Sequence, residues 1–238
     1  MERILLNTIY PDASVDADGR EHPYDPTARA EGRVWPTRAL TMIGEKRLHH
    51  LRRCVEEVLA DDISGDLLEA GVWRGGASIM MRAVLAAHGV TARRVWVADS
   101  FRGLPPPNSE RYPLDAGLDL SKIAVLAVPR EVVQTNFEAL GLMDDNVRFV
   151  EGWFSETLTT IDADAFALLR LDGDLYESTL QTLEALYPKL SAGGFLVVDD
   201  YGAVPACAAA VHDFREWHRV TEPIETIDWT GVYWRKSS

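Results

Sequence analysis

The sequence predicts an α/β protein: a mainly parallel sheet with helices on both faces and an antiparallel strand at its C-terminal end. Three observations carry this. From Asp66 onward, short apolar runs alternate with helix-length segments, the order that builds crossover units and buries a parallel sheet on both sides. Those runs break at glycine or end in acids, as in DLLEAGVW, RRVWVADS, AFALLRLDGD and GGFLVVDDY. Finally, 47% of the 238 residues are hydrophobic, enough to fill a sizeable core in one large domain or two small ones.

Residues 1–40 carry Pro11, Pro23, Pro26 and Pro36 with no sustained period, which predicts a mostly irregular arm or cap with one short helix. From Thr41, the residues Ile43, Leu48, Leu51, Val55, Val58 and Leu59 recur at three- and four-residue spacings and predict an amphipathic helix. DLLEAGVW is the first strand of the main sheet, and RGGASIMMRAVLAAHG the helix after it, closed by Gly89. Further strands follow in RRVWVADS, VRFVEGWF, AFALLRLDGD and GGFLVVDDY, with helices such as STLQTLEALYPKL between several of them. The tail TIDWTGVYWRKSS alternates around a Thr-Gly break and predicts an antiparallel edge hairpin. Residues 41–238 are therefore read as one domain. The proline-rich stretch 103–128 follows a strand, where loops surround the ligand crevice of an open α/β sheet. It reads as a lid or specificity loop, with an inert surface excursion as the alternative.

The charge balance narrows the function classes. With 24 Lys and Arg against 37 Asp and Glu, the net charge is −13, and no basic face is available to neutralise a nucleic-acid backbone. The 2 cysteines, Cys54 and Cys207, lie far apart without metal-ligand spacing, so a disulfide framework or a cysteine zinc site is not expected. No apolar run approaches the roughly 18–20 residues that cross a bilayer, and acids and prolines come too early for a signal peptide. The expectation is a soluble cytoplasmic protein without membrane or nucleic-acid partners.

Three motifs carry chemistry. EAGVWRGGAS brings backbone close to a ligand at the start of a helix, but its G-x-x-x-G-G spacing is neither the dinucleotide fingerprint nor a phosphate loop. Asp99 ends the next strand about 30 residues on, the position of an acid that accepts from ribose hydroxyls. Ser100 and Phe101 stand beside it, Phe101 as a candidate to face an adenine. An ordinary turn acid is the alternative for Asp99. Asp172 and Asp174 end one strand, and Asp199 and Asp200 another. If those strands are neighbours, three or four carboxylates crowd one point, a costly arrangement without a cation, and a hard ion such as Mg²⁺ would relieve it. Independent cap and turn acids are the alternative.

EAGVWRGGAS, VWVADSFRGLP, LDGD, VVDDY and the terminal GVYWR together resemble the macrocin O-methyltransferase family of sugar O-methyltransferases, over nearly the whole chain from Thr41. The resemblance implies a class I methyltransferase (Rossmann-like) sheet, S-adenosylmethionine as donor and a divalent metal arranged much as in catechol O-methyltransferase. It implies Asp172, Asp199 and Asp200 as Mg²⁺ ligands and Asp99 as the ribose acid. It implies that Glu69, Gly71, Trp73 and Ser78 line the methionine and ribose part of the donor, that Gly152, Trp153 and Phe154 border the adenine, and that Thr41, Met42 and Ile43 cover the methionine end. For Trp73 and Trp153, core packing is the competing role. The acceptor implied is a hydroxyl on the sugar of a macrolide or similar antibiotic, and the N-terminal forty residues are where such enzymes are expected to differ most.

Catechol methyltransferases carry a lysine three residues after the first metal acid, where this chain has Leu175. The base is therefore sought in Asp174, two residues from Asp172 and, on a strand, on the same side. His212 is the minor alternative; His49, His50 and His218 read as surface or interface residues. The rivals are a catechol or phenol O-methyltransferase of the same fold, a nicotinamide-dependent oxidoreductase, and a silent binding protein. A homo-oligomer is expected from the apolar N-terminal start.

Overall fold

The computed structural model describes residues 1–237. Its N-terminal part holds helix α1 (Glu2–Leu5), strands β1 (Ser14–Val15) and β2 (Glu21–His22), helix α2 (Pro26–Glu31) and strand β3 (Trp35–Pro36). The three strands form a small antiparallel sheet in the order β2-β1-β3. This is more regular than the predicted lead-in with one helix. Its organiser is a buried ion pair: Arg29 Nη1 donates to Asp12 Oδ1 at 2.8 Å, and the other Asp12 oxygen accepts from the Thr37 hydroxyl and the Arg38 amide. Leu5 and Leu6 enter the same buried cluster as Leu48, Leu51 and Val55, so the arm is packed into the core of the following domain.

Helix α3 (Gly44–Ala60) leads into the alternating part: β4 (Asp66–Ala70), α4 (Gly76–Ala87), β5 (Val95–Asp99), α5 (Arg130–Ala139), β6 (Val147–Glu151), α6 (Phe154–Thr157), β7 (Phe166–Leu171), α7 (Tyr176–Leu186), β8 (Leu190–Val198), α8 (Pro205–Trp217), β9 (Glu225–Thr226) and β10 (Val232–Arg235). The main sheet runs β6-β5-β4-β7-β8-β10-β9. β4 to β8 are parallel, and β10 joins antiparallel to β8. The predicted tail hairpin forms, but β10 lies between β8 and β9, so only β9 is the edge. The fully buried Trp234 explains this, since its indole needs cover from neighbouring strands.

Alternate residues feed two cores. Leu67, Val95, Val97 and Leu168 pack under α3 and α4, whereas Leu68, Trp96, Leu169 and Leu196 face α7 and α8. That period of two, with apolar residues on both faces, marks a sheet covered on both sides. The chain builds β4, β5 and β6 in one direction and then returns to place β7 on the other side of β4. Such a reversal opens a crevice at the carboxyl ends of the strands. No helix among the described residues is long and apolar enough to cross a membrane.

Candidate active site

A cavity of about 540 Å³ occupies that crevice. At its floor, Gly71 follows β4 with φ +87°, and a Cβ there would sit 1.7 Å from the Asp172 carbonyl oxygen, so only glycine lets the ends of β4 and β7 approach this closely. Trp73, with φ +48°, turns the chain toward α4, and its indole Nε1 donates to the Val125 carbonyl at 2.8 Å, pinning the 103–128 loop to the glycine turn. Thr41, Met42 and Ile43 line the same wall. They are held there because the Gly76 amide donates to the Leu40 carbonyl at 2.9 Å, and Gly76 has no Cβ to push Thr41 away.

Asp99 ends β5. Its Oδ2 accepts from the Val72 amide and its Oδ1 from the Phe101 amide, both at 2.8 Å, so the carboxylate clasps the turn after β4. Burial pushes its pKa up against these bonds. Gly152, Trp153, Phe154 and Ser100 complete this half of the cavity. Two expected donor residues lie elsewhere. Phe101 does not line the cavity, because its positive φ of 56° turns the ring into the core, against Phe149 with ring centroids 5.9 Å apart. Ser78 is fully buried in α4, and its hydroxyl donates to Glu69 Oε2, so it reaches the cavity only through that carboxylate.

The acids converge because β7 and β8 are adjacent and parallel. Asp172, Asp199 and Asp200 each present a carboxylate oxygen, all within 4.8 Å of one another, and Asp174 lines the cavity beside them. Asp174 arrives by a different route from the strand period assumed for it. β7 stops at Leu171, and Asp174 sits in the following turn with φ +56°, its amide donating to Asp200 Oδ2 at 3.1 Å. Burial, then the neighbouring Asp172 and Asp199, push the Asp174 carboxyl up to about 7. Asp200 is pushed up by burial and by Asp174, Asp172 and Asp199 in turn.

Two arginines already supply positive charge to the crowded acids. Arg170 on β7 is fully buried and donates Nη1 to Glu69 Oε1 at 2.7 Å and to Asp172 Oδ2 at 2.9 Å, and Nη2 to Asp199 Oδ1. Arg47 on α3 donates to Asp199 Oδ2 and, at 3.0 Å, to Asp228 Oδ2. Both were findable. Arg170 interrupts an otherwise apolar strand, and Arg47 falls four residues after Ile43 and four before Leu51, on the apolar stripe itself. A buried arginine demands acids around it.

The remaining walls come from Leu104 to Pro106 in the 103–128 loop, and from segments the motifs did not mark: Trp35 of β3, Trp229 before β10, and Glu177 and Gln181 of α7. No histidine lines the cavity. His212 is exposed, does not line the cavity and shares a 2.8 Å hydrogen bond with the Tyr201 hydroxyl.

A parallel sheet with a glycine turn after its central strand, an acid at the end of the next and a carboxylate cluster across the crevice defines an α/β methyltransferase of Rossmann-like fold. The family model described as Macrocin-O-methyltransferase (TylF) matches residues 2–236, so the match also covers the N-terminal arm. The chain belongs to this family and is an O-methyltransferase. It is 52% identical to the 8-demethyl-8-(2,3-dimethoxy-alpha-L-rhamnosyl)-tetracenomycin-C 4'-O-methyltransferase of Streptomyces olivaceus, over all of this chain and 91% of that one. It is 46% identical to the mycinamicin III 3''-O-methyltransferase of Micromonospora griseorubida, over all of this chain and 95% of that one. Among solved structures, the O-methyltransferase NovP superposes with a TM-score of 0.95 at 47% identity, covering 100% of this chain and 96% of that chain. Membership in this family sets aside the oxidoreductase reading.

Proposed function

We propose that this enzyme transfers a methyl group from S-adenosylmethionine to a hydroxyl on the sugar of a glycosylated natural product of the antibiotic type, with Mg²⁺ bound at the carboxylate cluster. The observation that carries this reading is the division of one cavity into two halves. The glycine turn and Asp99, bonded to each other, form one part of the lining, and the four carboxylates after the adjacent strands β7 and β8, with Trp229 close by, form another; Trp35, Trp153 and Glu177 line the same cavity. The names of the two relatives add a rhamnosyl acceptor for one of them.

Asp172, Asp199 and Asp200 would hold Mg²⁺, a hard ion suited to three carboxylate oxygens. The fit survives the two arginines, because these pair with Asp172 and Asp199 and leave Asp200 without an ion pair among the described residues. Bound there, the ion would lower the pKa of a nearby hydroxyl, and the donor would present an electrophilic methyl on a sulfonium. Asp174 takes the hydroxyl proton on its carboxylate. The acceptor oxygen then forms its bond to the methyl carbon as the carbon–sulfur bond breaks, the electron pair leaving with sulfur. Asp99 accepts from the donor ribose. Glu69, Gly71 and Trp73 enclose its methionine part under Thr41, Met42 and Ile43, and Gly152, Trp153 and Phe154 border its adenine. Residues 1–40 serve as a cap on the domain 41–238, and 103–128 as the lid over the acceptor. The exposed Met1, Ile4, Ile9 and Tyr10 further suggest self-association to a homo-oligomer, which light scattering reads directly.

The test is a panel of deoxysugar glycosides, their aglycones and catechols, each incubated with donor and Mg²⁺ and analysed by mass spectrometry. A gain of one methyl confined to glycosides supports the reading. Methylation of catechols or aglycones instead moves the acceptor to phenols, and turnover that survives a chelator removes the metal.

A further inference from the structure

One buried side chain ties three parts of the chain together at the acceptor half of the cavity. Arg47 lines that cavity and is 6% exposed. Its Nη1 donates to Asp199 Oδ2, its Nε to Asp228 Oδ2 at 3.0 Å, and its Nη2 to the Gly32 carbonyl at 3.1 Å. These partners belong to the carboxylate cluster, the turn before β10 and the N-terminal arm. The packing around it is tight. A Cβ on Gly32 would lie 2.4 Å from Arg47 Nη2, and one on Gly231 would lie 2.9 Å from Arg47 Cδ and 3.0 Å from Cγ. The same arm and turn meet a second time, where Trp229 Nε1 donates to the Glu31 carbonyl at 2.8 Å and the Arg33 guanidinium covers the Trp229 ring at 4.0 Å.

We propose that Arg47 is a positioning residue for the reaction: it orients Asp199 within the cluster and clasps the arm to the C-terminal turn, so that Trp35 and Trp229 face the acceptor in a fixed relation to the carboxylates. This rests on the reading of the cluster and acceptor given above. The planar fork is what the position requires, since three acceptors in different directions are met by one rigid group with five N–H donors, whereas an ammonium on a flexible stem places a single point charge. Asp228 completes the clasp. Its Oδ1 accepts from the Thr230 and Gly231 amides at 3.0 and 2.8 Å, leaving Oδ2 for Arg47. A misplacement of about 1 Å in a reacting geometry lowers rate by roughly 100-fold, so a residue that sets the distance between two halves of a site acts without touching the reacting atoms.

The test compares Arg47→Met, Arg47→Lys, Arg47→Ala, Asp228→Asn and Gly231→Ala, with Arg53→Ala, which removes an exposed pair with Glu57 on the same helix, as control. Three quantities are read: amide hydrogen exchange at 32–35 and 228–231, Mn²⁺ affinity by electron paramagnetic resonance, and acceptor KM against kcat. Arg47→Met is expected to speed exchange at both segments, weaken Mn²⁺, raise acceptor KM and lower kcat by roughly 100-fold, with affinity for S-adenosylhomocysteine within twofold of wild type. Arg47→Lys should fail to restore these values, and added guanidinium ion should partly restore Arg47→Ala. Asp228→Asn keeps the turn's own bonds and should shift exchange and KM while sparing Mn²⁺. Gly231→Ala retains the arginine but crowds its stem, and should move the same readouts less far; these two decide the matter if Arg47→Met does not fold. Wild-type exchange at both segments in folded variants overturns the clasp, and wild-type Mn²⁺ affinity in Arg47→Met overturns the orienting role. A wild-type enzyme that takes no Mn²⁺ defeats the metal reading and its orienting corollary alone, with the exchange data still deciding the clasp.

Discussion

Arg170 reaches Asp172, two residues along the chain, with Nη1 donating to Oδ2 at 2.9 Å, and so partners the leading acid of the cluster from inside the protein. The same nitrogen serves Glu69 and the second serves Asp199, and all of this lies beneath the cavity. Replacing Arg170 by Met would leave three acids without their shared cation. Removing one partner from such a buried group costs about 3–5 kcal/mol, which for a domain of this size lowers the melting temperature by more than about 6 °C. Thermal unfolding followed by circular dichroism checks this. A Met variant as stable as wild type would mean that the acids are neutral when the arginine is absent.

Asp115 links the 103–128 loop to α7, the helix behind the cluster. Although it lies in the 103–128 loop, it is fully buried, and its two oxygens accept from the Tyr176 amide at 2.7 Å and the Glu177 amide at 3.1 Å, capping α7 from 61 residues away. Replacing such a cap by Ala costs about 0.5–2 kcal/mol, and here it would also release the loop. Asp115→Ala is expected to lower stability by that amount and to raise acceptor KM more than donor KM. Equal changes in both constants would argue against a lid over the acceptor.

Asp174→Asn removes the carboxylate proposed as the proton acceptor but keeps the shape of the turn and the backbone bond to Asp200. Turnover should fall by about 100-fold or more, the usual weight of a positioned base. Donor affinity measured by calorimetry should stay near wild type, since Asp174 lies on the acceptor side. A variant with full rate would reassign the base.

The parts of this architecture that depend on short-range pattern were legible in the sequence. β4, β5, β7 and β8 read as apolar runs, and Gly71, Asp99, Asp172, Asp199 and Asp200 stand where those runs end, but the order of the strands in the sheet, which opens the crevice, is not written in those runs. What escaped depends on contacts across the chain. Asp12 organises the arm through Arg29, Thr37 and Arg38, between 17 and 26 residues away, and two-residue strands carry no period to betray them. Arg47 and Arg170 break an apolar pattern, and a single break reads as noise until its acid partners are seen in space. Asp174 reaches the cavity through a left-handed turn and not as part of a strand, a conformation that no period of two encodes. Ser78 and Phe101 show the converse: sitting next to a motif in sequence does not expose a side chain to the ligand.

His50 gives a pH dependence with a definite sign. Its ring lies against Tyr233, with centroids 4.2 Å apart, and its Nδ1 is 3.5 Å from Cys54 Sγ. Burial, reinforced by the nearby Arg53, depresses its pKa from 6.5 to about 4, with Glu57 opposing. The folded protein therefore keeps the ring neutral where the unfolded chain takes up a proton. Stability from this residue is fully present above about pH 6.5 and is lost progressively as pH falls toward 4, because the unfolded state binds more protons in that window. Urea unfolding at pH 7.5, 6 and 5 is expected to show a steeper loss for wild type than for His50→Gln, with the two curves drawing together as pH falls even if the variant is less stable at pH 7.5. Parallel losses in both proteins would place the acid sensitivity in other groups.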